Sequence, residues 1–292
     1  MANQITSDLT ISTAVTVLEE LLAPISAFTR NITSEIQPRR QASVDVPVVK
    51  KGSSARDYAY STGYNTTADT DVDVVTVTLT ERIKPFHLAD TDLNKSPLTL
   101  QDYVAANAHE FGRYLLQIIF DQVDASITAG DVTEVSKNAS SVALADIQGL
   151  QSTLDSNGAP FDRYVLMNSD VNSALMPSSI ETFGPSVLQG GRFGRLYGMD
   201  TYVTTVRDTT IGKPHTFAGS SDSIIVANRM PDVSGQATLE EYTPFTVDGV
   251  GIQCAYRRYF EPSKGESFGA FTTIMGAAVA KPEHLVAITK AS

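Results

Sequence analysis

A single cysteine, Cys254, stands in 292 residues. No internal disulfide can therefore form, which fits folding in an intracellular compartment. The start of the chain, MANQITSDLT, lacks a basic region followed by an apolar run, so no secretory signal is read there. The most apolar late stretch, Phe268 to Ala280, is too short to cross a bilayer and carries Thr272 and Thr273. These absences predict a soluble, cytoplasmically made protein with no membrane partner. Charged residues are few, at 19%, whereas hydrophobic residues reach 42%. Disorder throughout is excluded, because that much apolar surface can build a core. The length suggests one large domain or two smaller ones. A net charge of −11 makes a dedicated nucleic-acid binder a poor fit.

Signatures of chemistry are also missing. His87, His109, His215 and His284 form no pair at metal-ligand spacing, and one cysteine makes no zinc framework. His109, beside Glu110, is expected on a solvated helix face. The run Asp69 to Asp73 opens like a calcium loop, but the sixth position is Val74 and the twelfth Thr80, where such a loop needs glycine and glutamate. GGRFGRLYG lacks the Gly-Lys-Ser/Thr ending of a phosphate loop and opens a strand. GVG at Gly249–Gly251 has no third glycine, and no G-x-S-x-G elbow occurs. No catalytic, cofactor-binding or metal residue is predicted, and no cofactor.

What the chain does have is length in its elements. SPLTLQDYVAANAHEFGRYLLQIIFDQVDASITAG, Ser96 to Gly130, reads as one helix. Ser96 suits the N-cap, Pro97 the first turn and Gly130 the left-handed end. Leu100, Val104, Ala108, Phe111, Leu115, Ile118 and Ile119 recur at three- and four-residue spacing and make one apolar stripe. At 1.5 Å per residue the rod is roughly 45 Å long, a beam more than a pocket wall. Before it, residues 1–43 hold a short amphipathic helix through Val15, Leu18, Leu21 and Leu22, expected to stop near Pro24 and to lie on something else. Residues 44–83 alternate as a hairpin. Val44, Val46 and Val48 run out, and Val75, Val77, Leu79 and Ile83 return around a long polar tip. Such a projection needs a partner, and a neighbouring subunit supplies one.

After the beam the texture changes to mixed α/β over about 135–239. A helix covers Val142–Ser156 and a strand Arg163–Asn168. Ser169 starts a small helix expected to stop before Pro177. Strands follow at Thr201–Val206 and Ser223–Asn228. The remainder is β: Gln236–Val247, Val250–Tyr259 and Phe268–Ala280, then the proline-containing KPEHLVAITK.

Charge is divided along the chain. Arg30, Arg39, Arg40, Lys50, Lys51 and Arg56 face only Glu35 and Asp45 in the stretch 30–56, whereas acids dominate 57–134. One reading is ordinary surface scatter. The other is complementary surfaces meeting between subunits, with Arg39, Arg40, Lys50, Lys51 and Arg56 as contact residues.

The order of these parts resembles the major capsid proteins of tailed bacteriophages, with the Hong Kong 97-type fold. The likeness covers nearly the whole chain and lies in architecture more than in invariant motifs. TLTERIKPFHLADTDL leading into the long helix, RYVLMNSDVNSALM, GRLYGMDTYVTT, SIIVANRMP and AAVAKPEHLVAI are its local strings. The resemblance implies an α+β fold. Its parts are an N-terminal arm (1–43), an E-loop hairpin (44–83), a P-domain with the spine helix (84–134), an α/β A-domain (135–239) and P-domain return strands (240–292).

It further implies a non-enzymatic virion protein made in the host bacterial cytoplasm. Hexamers and pentamers would pass through a procapsid to an icosahedral shell around double-stranded DNA, which is held only non-specifically. Expected partners are other copies of the chain, a separate scaffolding protein, a portal protein and in some members a decoration protein. Self-crosslinking members use a hairpin lysine and a P-domain asparagine. Lys50 and Lys51 lie near the loop but no asparagine can be matched, so crosslinking is not carried over. A cellular nanocompartment shell of the same fold is the runner-up, and an α/β enzyme the third reading.

Overall fold

Two six-stranded sheets and two long helices make the body. The computed structural model describes residues 2–32, 42–49, 72–88, 100–183, 188–189, 192–204, 211–231, 239–261, 263 and 266–291. In order the elements are α1 (Ala2–Phe28), β1 (Thr29–Asn31), β2 (Ser43–Val49), β3 (Val72–Thr78), β4 (Thr80–Leu88) and α2 (Leu100–Thr128). Then come β5 (Thr133–Ser136), α3 (Leu144–Ser156), β6 (Arg163–Asn168), α4 (Ser169–Phe183), β7 (Leu188–Gln189), β8 (Arg192–Phe193), β9 (Arg195–Leu196) and β10 (Met199–Thr204). The chain closes with β11 (Pro214–Ser220), β12 (Ile224–Arg229), β13 (Leu239–Val247), β14 (Ile252–Glu261), β15 (Glu266–Val279) and β16 (Leu285–Thr289).

The predicted beam is α2. Val104, Ala108, Phe111, Leu115, Ile118 and Ile119, all on the expected stripe, are buried. Its end follows from Gly130, at φ +81°. Gly130 N–H donates to Ile127 O (2.9 Å) and Asp131 N–H to Ser126 O (3.0 Å), which closes the last turn as a Schellman motif. The proposed start, Ser96 and Pro97, falls outside the described residues.

Helix α1 is longer than expected and does not stop at Pro24, which lies inside it. Proline removes one N–H, whose partner would be the carbonyl of Glu20; Glu20 is exposed and Pro24 itself is buried. Beyond it Ile25, Ala27 and Phe28 are buried, and that burial holds the last turn together. The apolar side of α1 lies on α2. At Gly112 an added Cβ would come within 3.0 Å of Leu21 and 3.1 Å of Leu18, so glycine sets how near the helices approach. Among the described residues Thr10–Phe28 is one helix long and apolar enough by composition to cross a membrane. Its buried Ala14, Leu18 and Leu22 belong to the central core. Likewise α4 runs past Pro177 to Phe183 where a stop was expected; Val171 and Leu175 are buried ahead of that proline.

The first sheet has the order β1-β12-β15-β14-β13, with β4 on the other side of β15. The second has the order β5-β16-β11-β6-β10-β9. Chain order does not give sheet membership. The expected α/β unit of 135–239 yields β12 to the first sheet and takes β16 from the end of the chain. Burial explains the exchange. In β12, Ile224 and Val226 face the helices while Ile225 and Ala227 face a separate cluster with Val46, Val48, Val77 and Leu79. In β16, Leu285 and Ala287 join the core of α1 and α2, and Val286 and Ile288 join that of α3 and α4. Each strand is apolar on both faces and fits only where both faces are covered.

Candidate inter-subunit surface

The described part of the hairpin is a two-stranded ribbon separate from the two large sheets. β2 and β3 pair antiparallel, with Val44 opposite Val77, Val46 opposite Val75 and Val48 opposite Asp73. The returning chain does not stay in the hairpin as far as Ile83. It breaks at Leu79, and β4 then joins β15, from Thr80 opposite Met275 to Leu88 opposite Ser267. Ile83 thus belongs to the sheet and is half exposed.

The root of the ribbon is fixed by close contact. Leu79 N–H donates to Ala42 O (2.8 Å), closing the base. Val46, Val48, Val77 and Leu79 pack on Ile32, Ile225 and Ala227. Beneath them Gly276 of β15 touches the ribbon backbone. A Cβ there would sit 2.9 Å from the Thr78 carbonyl carbon, nearer still to its oxygen, and 3.0 Å from Val77 Cγ1. Only glycine lets the ribbon seat at this depth.

The far part of the ribbon is apolar on its other face. Val49, Val72 and Val74 are 54%, 55% and 58% exposed, and Val49 stands opposite Val72. A two-stranded ribbon is marginal by itself. Valine thus stands on both faces of the ribbon, and this chain's own sheet covers only one of them.

The residues proposed from charge, Arg39, Arg40, Lys50, Lys51 and Arg56, all lie outside the described residues, as does the tip of the hairpin. Part of the acidic stretch 57–134 is described. Asp102, Glu110 and Asp121 are exposed along α2. Glu110 pairs with Arg113 (3.0 Å) and Asp121 accepts from Gln117 (3.0 Å). Asp124 pairs with Lys213, which ties the end of α2 to β11.

Among the described residues no group of three or more His, Cys, Asp or Glu could hold a metal. Cys254 is fully buried and burial pushes its thiol up to about 12, so it is no nucleophile. His215 is buried, with Nε2 2.9 Å from Lys137 O, and burial lowers its pKa. His87 packs its ring on Phe268, and His109 is half-buried at the rim of an apolar groove between α1, α2 and β10, where an exposed face was expected. GGRFGRLYG ends in a two-residue turn, Tyr197 and Gly198 at φ 48° and 82°, joining β9 to β10. Of the acidic run, Val72 and Asp73 are strand residues, as is Val74 after it.

Two features escaped the sequence. Asn228, wholly buried, bridges three strands: its amide donates to Thr273 Oγ1 (2.6 Å), Ile274 O and Gln253 O, and its oxygen accepts from Gln253 N–H (2.5 Å). It sits where β14 ends and β12 takes over along β15. Asp222 gathers Ser220, Lys281 and His284. The sequence offers no signal for either, because every partner is distant or in a turn.

No protein-family model matches the sequence, and no curated protein does. Solved structures do match. The capsid of the cyanophage P-SCSP1u aligns over 91% of this chain and 87% of its own, with TM-score 0.57 and 12% identity. The mature capsid of bacteriophage PhiM1 aligns over 90% and 85%, with TM-score 0.55 and 10% identity. A virus-like particle from Pyrococcus furiosus aligns over 95% and 96%, with TM-score 0.55 and 9% identity. At such identities what is shared is the path of the backbone. The chain therefore has the fold of these capsid and particle structures, the Hong Kong 97-type fold expected from its sequence.

Proposed function

We propose that the chain is the repeating subunit of a tailed-phage head, which assembles as hexamers and pentamers into an icosahedral shell around double-stranded DNA. The ribbon β2–β3 carries this reading: one apolar face is seated on its own sheet and the opposite face is open. In the proposed assembly residues 1–43 act as the arm, 44–83 as the reaching loop, 84–134 and 240–292 as the peripheral domain, and 135–239 as the axial domain. The rigid α2 keeps the body constant while the ribbon absorbs differences in angle between fivefold and quasi-sixfold neighbours. The basic residues Arg39, Arg40, Lys50, Lys51 and Arg56 dock on a neighbour's acidic α2, with Asp102, Glu110 and Asp121 in reach of solvent. A separate scaffolding protein directs closure, a portal protein occupies one vertex, and the finished subunit resides in the virion.

A second reading is a cellular compartment shell of the same fold; the virus-like particle from Pyrococcus furiosus aligns as fully as the phage capsids do, so the fold alone does not separate the two. The two separate on contents. Particles purified after expression with the neighbouring genes, examined by electron microscopy and nuclease digestion, should be uniform closed shells that package DNA when portal and packaging proteins are supplied. Shells that retain a co-expressed enzyme and never DNA support the second reading. A chain that stays monomeric under every condition contradicts both.

A further inference from the structure

The chain passes directly from one sheet to the other at two places, and these are side by side. The turn 221–223 joins β11 to β12, and residues 280–284 join β15 to β16. They are bonded to each other. Ala280 N–H and Lys281 N–H both donate to Ser223 O, at 2.8 and 3.2 Å. Asp222 accepts from Lys281 Nζ (2.5 Å) and Ser220 Oγ (2.5 Å) and stands 3.4 Å from His284 Nδ1. Gly219 fits beneath, where a Cβ would be 3.0 Å from His284 O. Away from the knot the two sheets share one core with α1 and α2: Phe217 of β11 packs edge-on against Phe28 of α1 and Phe120 of α2, at 5.0 and 5.1 Å, and Lys213 pairs with Asp124 of α2. Burial of apolar surface is by itself non-directional. Hydrogen bonds and ion pairs are directional and fix an angle.

We propose that the Ser220–Asp222–Lys281–His284 knot is a clasp that sets the angle between the two sheets, whose other contact, through the core shared with α1 and α2, is mainly apolar. Motion between packed layers over a fixed seam is a common form of domain adjustment. The clasp rests on the geometry of one subunit. Its use, to let one chain fit unequal positions, rests on the shell reading above.

The test uses dissociated subunits, so its result does not depend on assembly. Spin labels at Ser173→Cys on α4 and Thr246→Cys on β13 report the distance between the two bodies. Both sites are exposed, and buried Cys254 stays unlabelled. Asp222→Asn and Lys281→Met should each widen or shift the distance distribution. Lys137→Met, which breaks the 2.6 Å pair with Asp146 away from the clasp, should leave it unchanged. If Asp222→Asn does not fold, Lys281→Met decides, since its backbone bond to Ser223 remains. An unaltered distribution in the clasp variants, or equal broadening in the control, overturns the proposal.

Discussion

Replacing Gly276 by alanine tests the seat of the ribbon with a single methyl group. The new Cβ would be 2.9 Å from the Thr78 carbonyl carbon and 3.0 Å from Val77 Cγ1. The first of these is backbone and cannot rotate away. Two responses are open. The ribbon can stay and strain, as overpacked cores do, at about 1–3 kcal/mol. Or it can lift, exposing Val46, Val48, Val77 and Leu79, all buried now, at about 1.5–3 kcal/mol for each side chain. Lifting costs several times more, so the ribbon should strain and re-aim without detaching. The expected fall in melting temperature is on the order of 5 °C for a chain of this size. Assembly should suffer more than stability, because a small tilt at the root is magnified at the tip. Gly149→Ala is the matched control. It lies in α3 with nothing within 4 Å of an added Cβ, and should stabilise by about 0.5–1 kcal/mol through helix preference alone. Calorimetry and light scattering read the two effects. A Gly276→Ala protein that melts and assembles like the wild type would refute the close seat.

Asn228→Leu should cost about 2–4 kcal/mol in denaturant unfolding, since it strands the Gln253 N–H and removes bonds that tie three strands at once. A loss below half of that lower figure would show the junction held by packing alone. Asp222 is held below the usual carboxylate range, first by its bond to His284 and then by Lys281 and Ser220, against the opposing effect of burial. Its stabilisation is complete above its unfolded value, near 3.9, and is lost as pH falls through the lower folded value. Asp222→Asn should therefore flatten the stability curve below about pH 4; an unchanged acid limb would contradict the bond network. Assembly should weaken as salt rises, and Lys50→Glu with Lys51→Glu should weaken it further at low salt. Equal assembly of both proteins at every ionic strength, measured by sedimentation, would remove charge pairing from the account.

The long helix and the hairpin were legible because both depend on local periodicity, three-to-four spacing for α2 and alternation of Val44, Val46 and Val48 with Val75 and Val77 for the seated face of β2 and β3. The two helix ends drawn at Pro24 and Pro177 were not. A proline costs one backbone bond wherever it falls, whereas what offsets that cost, the burial of Ile25 and Phe28 beyond Pro24, is tertiary. Sheet membership was hidden for a similar reason. SIIVAN and HLVAI are apolar on both faces and fit either sheet by composition, so only the positions of the helices and the ribbon decide. The candidate surface was half legible. Valine alternation marked the seated face of the ribbon but not the exposed Val49, Val72 and Val74, and the charge count picked out the acids of α2. Gly276, Asn228 and Asp222 carried no local signal, because each acts through a residue far along the chain or through a turn whose partner is elsewhere.

The central claim is that the β2–β3 ribbon completes its second face on a neighbouring copy. A reconstruction of the assembled particle by electron cryo-microscopy tests it most directly. The account predicts a closed icosahedral shell in which Val49, Val72 and Val74 are buried against the adjacent subunit. A shell whose ribbons stay exposed, or a chain that forms no particle with or without a scaffolding protein, would contradict it.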